Sequence, residues 1–152
     1  TLEVRESNIG AINLYKKFGF EFDFSLPGVM NVFLSLERLD ENWTRELEAL
    51  SDFSFDGAIF KNKELSVAFE QLAASFVFRH LPGAIYDGEY SARVRFCLLG
   101  CFLVGALWEL HIRKNGKLSL SDMTEIVRMY SSEVEYSEEN TEILLDACTC
   151  VG

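Results

Sequence analysis

Apolar residues recur along most of this chain at three- and four-residue intervals, and that spacing predicts a succession of amphipathic helices. Trp43, Leu47 and Leu50 share one face of a helix expected over residues 40–50, with Asp40 as its cap. Residues 65–81 form a second, strongly apolar helix that Pro82-Gly83 should stop. A turn at Asp87-Gly88 precedes a long helix over about residues 90–114, closed by Asn115-Gly116. Ser119 to Asp122 offers a cap for a helix through Met123, Ile126, Val127 and Tyr130. Ser137 should start a last helix reaching about Ala147, with Glu138 and Glu139 in the first turn, where the helix dipole favours carboxylates. Residues 53–63 read as a loop or a partly helical connection.

The first thirty residues follow another pattern. Leu2 to Arg5 is strand-like, and Ser7-Asn8 caps a helix through Ala11, Ile12, Leu14, Tyr15 and Phe18 that Gly19 closes. Residues 20–24 alternate apolar and acidic positions, which favours a strand. Leu26-Pro27-Gly28 reads as a break, and residues 32–36 as either a strand or the first turns of a helix. The composition shift between Asp23 and Met30 is taken as a boundary, with an N-terminal piece over 1–25 and a helical domain over 30–148. The expected fold is therefore mainly α: a bundle of about five helices carrying a small N-terminal αβ element.

Composition narrows the function classes. Half of the 152 residues are apolar, and thirteen Phe with two Trp can fill a sizeable core. The net charge of -10 argues against nucleic acid, since fourteen scattered Lys and Arg make no phosphate-binding surface. The apolar run over 96–108 is flanked by Arg93, Arg95, Glu109 and His111 and falls short of the ~20 residues a bilayer needs, so a core helix is expected and no membrane partner. Cys97 and Cys101 stand one helical turn apart as small core residues, and Cys148 and Cys150 have no His or Cys cluster beside them. No metal is expected, and thiols without a framework suit the cytoplasm. The acidic run from Glu133 to Glu142 reads as a solvated helix face, or as a docking surface for a basic, lysine-bearing partner. Tyr86, Tyr90 and Arg93 are weaker candidates for a pocket lining.

Leu2-Glu3-Val4-Arg5-Glu6-Ser7-Asn8, followed by Ala11-Ile12-Asn13-Leu14-Tyr15 and Phe18-Gly19-Phe20, resembles the C-terminal motif of GNAT acetyltransferases, of the ribosomal-protein-alanine N-acetyltransferase type. The resemblance implies that Asn8 hydrogen-bonds the pantetheine arm of acetyl-CoA. It also implies that Tyr15 protonates the departing thiolate, and that Glu3 accepts the amine proton through a water. The family's glycine-rich pyrophosphate turn does not occur here, so no tight acetyl-CoA binding is expected and the chain alone should be inactive.

The rest of the chain is similar to another family. Leu39 to Trp43, Phe78-Arg79-His80, Ala84 to Glu89 and Tyr130 to Asn140 resemble the C-terminal region of flagellin lysine-N-methylases. That resemblance implies a protein substrate and S-adenosylmethionine for the parent enzyme. The Cys-rich cluster of that family does not occur in this sequence, nor does a glycine-rich S-adenosylmethionine loop, and no bound cofactor is expected for this chain. Three expectations follow: an acetyltransferase fragment, inactive in isolation and fused to a methylase-like helical domain; a truncated flagellin lysine-N-methylase-like protein; or a non-enzymatic acidic binding module. A start at Thr1 fits a fragment.

Overall fold

A computed structural model of the chain describes residues 26–149. Among them are six helices of ten or more residues and no strand. With a one-turn α4 added, the helices in chain order are α1 (Leu26–Ser35), α2 (Glu41–Ser51), α3 (Ser66–His80), α4 (Ala84–Asp87), α5 (Tyr90–Asn115), α6 (Leu120–Tyr130) and α7 (Glu138–Thr149). Short 3-10 turns at Ala58–Lys61 and Leu81–Gly83, and a π-helical turn at Ser131–Glu135, join them. The mainly α expectation holds; the αβ element over 1–25 and its boundary lie outside the described residues.

Local chemistry sets the ends of these helices. Asp40, in an extended conformation, accepts the Asn42 N–H at 2.7 Å and caps α2. Ser119 and Asp122 cap α6 reciprocally, each side chain taking the other's backbone N–H. The Ser137 hydroxyl accepts the Asn140 N–H at the head of α7. Gly116 closes α5 at φ 76°, a left-handed conformation that costs glycine little.

One reading of the first segment changes. Leu26-Pro27-Gly28 is the first turn of α1 rather than a break; of the two alternatives for residues 32–36, strand or helix, residues 32–35 are helical. Proline suits that position because the first helical N–H groups have no partner within the helix. Leu26, Val29, Met30 and Phe33 then fall on one buried face.

The core surrounds α5. Residues 103–110 of this helix are all buried, so it has no solvent stripe there. Its length and composition would allow it to cross a bilayer, yet most of that apolar stretch is covered by protein. Helices α3 and α7 pack against it along its length, with α6, α2 and the 3-10 turn at Ala58–Lys61 completing the enclosure. Tyr130 is buried with its ring 5.5 to 6.3 Å from those of Phe76, Phe33 and Trp43, tilted or edge-on, the arrangement aromatic quadrupoles prefer.

Candidate functional site

The π-helical turn at Ser131–Glu135 gathers residues from distant parts of the chain. Such turns are rare and often mark functional positions. Glu135 receives four donors: Arg79 through Nε at 3.0 Å and Nη2 at 2.8 Å, His80 through Nε2 at 2.5 Å, and the Ser131 hydroxyl at 2.7 Å. A carboxylate has about four acceptor positions, so this one is saturated. Burial alone would raise its pKa, but the His80 and Ser131 hydrogen bonds and the Arg79 charge outweigh that and hold it below the usual carboxylate range.

Two positions further back, Glu133 is 8% exposed and accepts the backbone N–H groups of Leu39 at 2.9 Å and Asp40 at 3.1 Å. Asn140 closes the same joint, accepting the Glu37 N–H and donating to the carbonyls of Glu37 and Glu133. On the other side Arg93 donates to the His80 carbonyl at 2.9 Å and binds Asp87 through two nitrogens. Its guanidinium occupies the space where a side chain at Gly83 would begin.

A second feature is a groove of about 590 Å³ between α1 and the segment after α2, lined by Met30, Asn31, Leu34, Phe53, Phe55 and Asp56 among others. Asp56 accepts the Ala58 N–H on Oδ1 at 2.9 Å and Arg113 Nη2 on Oδ2 at 2.6 Å, and its side chain is 58% exposed. Each of its two oxygens thus carries one donor, with the Glu109 carboxyl beside it. The Arg113 guanidinium also lies 5.4 Å from the Phe53 ring centroid, a cation–π contact. Nearby, Glu109 is buried, with Oε1 accepting the Ile59 N–H at 3.4 Å and Oε2 without a partner. Burial, with the neighbouring Asp56 carboxyl, raises its pKa.

The comparison with known families decides the identity: the FliB lysine N-methylase C-terminal domain matches this chain over residues 9–149. The chain belongs to that family. No curated protein and no solved structure matches it.

In this FliB C-terminal domain the four runs that resembled lysine-N-methylases are one hydrogen-bonded assembly. Residues 39 and 40 meet Glu133, residues 79 and 80 meet Glu135, and Asp87 reaches His80 through Arg93. The solvated-face reading of the acidic run therefore fails at its start: Glu133 is buried and the Glu135 side chain is 5% exposed, whereas Glu138, Glu139 and Glu142 are exposed. Their partners lie 55 to 94 residues away in sequence, which periodicity cannot reveal.

Glu3, Asn8 and Tyr15 lie outside the described residues. Tyr86 and Tyr90 are 92% and 56% exposed, so they line no enclosed pocket, and Arg93 is engaged as above. Cys97, Cys101 and Cys148 are free, and burial pushes each thiol up to about 12, as core residues rather than nucleophiles. Among the described residues no group of three or more His, Cys, Asp and Glu could hold a metal ion.

The saturated Glu135 gives the joint an acid-sensitive contact. A depressed carboxylate pKa adds stability above the unfolded value, near 4.5, and that stability is lost as pH falls through the lower folded value. Urea denaturation of Glu135→Gln from pH 7 to pH 3 should show lower stability than wild type at pH 7, with the gap narrowing in acid. A constant gap would contradict this assignment.

Proposed function

We propose that this chain is the helical domain of an enzyme that methylates lysine side chains of protein, flagellin in particular, with S-adenosylmethionine as methyl donor. The family match over residues 9–149 carries this reading. In it the helical domain binds the substrate protein and presents its lysine. Two properties support that role: a net charge of -10, complementary to a lysine-bearing partner, and the groove whose carboxylate has unused acceptor positions. Calorimetric titration of the chain with flagellin should give saturable binding, weakened at least tenfold between about 0.05 and 0.5 M salt as screening shortens the reach of the charges. Absence of binding at low salt would contradict the role.

The pattern over residues 2–20 carries a second reading, in which Glu3, Asn8 and Tyr15 belong to a protein N-acetyltransferase segment; the family match, which covers residues 9–149 and so includes Tyr15, does not support it. Titration with acetyl-CoA separates the two. Saturable micromolar binding would support acetyl transfer; the lysine-methylase reading predicts none tighter than about millimolar.

A further inference from the structure

We propose that the groove between α1 and the segment from Ser51 to Asp56 receives the side chain of a substrate lysine, its methylenes against Met30, Leu34, Phe53 and Phe55 and its ammonium on Asp56. The proposal rests on the lysine-methylation reading above and names the place where that lysine sits.

A lysine side chain is an apolar stem with a compact, strongly hydrated charge at its tip, so its receptor needs an apolar wall ending in an acceptor. This groove supplies that sequence of surfaces. The structure already holds a cation in the same way: Arg113 rests over Phe53 and ends on Asp56 at 2.6 Å. Asp56 retains acceptor positions after binding Ala58 and Arg113. The Glu135 carboxylate in the joint is filled by four donors, whereas Asp56 carries one protein donor on each oxygen and is 58% exposed.

Arg113 is then an internal competitor, and this gives the site opposite responses to two substitutions. The test is an NMR titration of the whole 152-residue chain with a short capped peptide carrying one lysine, and with the same peptide carrying Nε-acetyl-lysine. Saturable shifts are expected at Asn31, Phe53 and Ser54, at least tenfold weaker for the acetylated peptide, which keeps the stem and loses the charge. Asp56→Asn should weaken lysine binding at least tenfold, whereas Arg113→Gln should tighten it severalfold. If Asp56→Asn does not fold, Asn31→Asp serves instead, because it adds a carboxylate to the wall and should tighten binding. Equal affinity for the two peptides, shifts confined to other surfaces, or a weakening by Arg113→Gln would overturn the proposal. Flagellin methylation with an unchanged KM in Asp56→Asn would refute the groove and leave the methylase reading intact. Charge-dependent peptide binding in the groove without methylation would do the reverse.

Discussion

Replacing Glu133 by alanine should lower folding stability by about 2–4 kcal/mol, since hydrogen bonds to an ionised group are among the stronger ones and their removal strands the donors. Glu133 sits on the π-helical turn and holds the N–H groups of Leu39 and Asp40, the two residues that lead into α2. Asn140 braces the same joint, accepting the Glu37 N–H and donating to the carbonyls of Glu37 and Glu133. Glu133→Gln keeps one acceptor oxygen and should fall between the two. Urea denaturation followed by helical circular dichroism measures the difference. An alanine variant within about 0.5 kcal/mol of wild type, the range of an ordinary surface change, would show that the joint is dispensable.

Gly100→Ala should also destabilise, by about 1–3 kcal/mol, although alanine is ordinarily preferred to glycine by about 1 kcal/mol inside a helix. The position lies in the middle of α5, and the added methyl would meet the Tyr130 hydroxyl at 2.8 Å and the Phe76 ring at 3.0 Å. Neither neighbour is free to retreat: Tyr130 is buried among Phe33, Trp43 and Phe76, and Phe76 is 1% exposed. Overpacking therefore outweighs propensity. The same denaturation measurement decides it, and a stabilised variant would mean that the aromatic cluster can shift at little cost.

Much of the fold was legible because its determinants are local. The face formed by Trp43, Leu47 and Leu50, the Ser119–Asp122 cap and the Gly116 stop each depend on residues within two turns of one another. The helix α1 was misread because Pro27-Gly28 has two local meanings, break and first turn, and burial of Val29, Met30 and Phe33 chose between them. The joint was less legible. Two carboxylates spaced i, i+2 look like a solvated run, and only partners from α3 and the α1–α2 connection bury them. The groove was invisible for the same reason: Asp56 stands in a loop and its cation, Arg113, comes 57 residues later. The matching motif runs, by contrast, were visible in sequence before their convergence was, because resemblance needs no knowledge of who touches whom.

The most direct measurement is mass spectrometry of flagellin lysines, from cells that co-express flagellin with the gene carrying this chain. Lysine methylation should be present with the intact gene and greatly reduced with Glu133→Ala, which undermines the fold without touching the groove. Flagellin lysines free of methyl groups in cells making the intact, folded protein would contradict its role in lysine methylation.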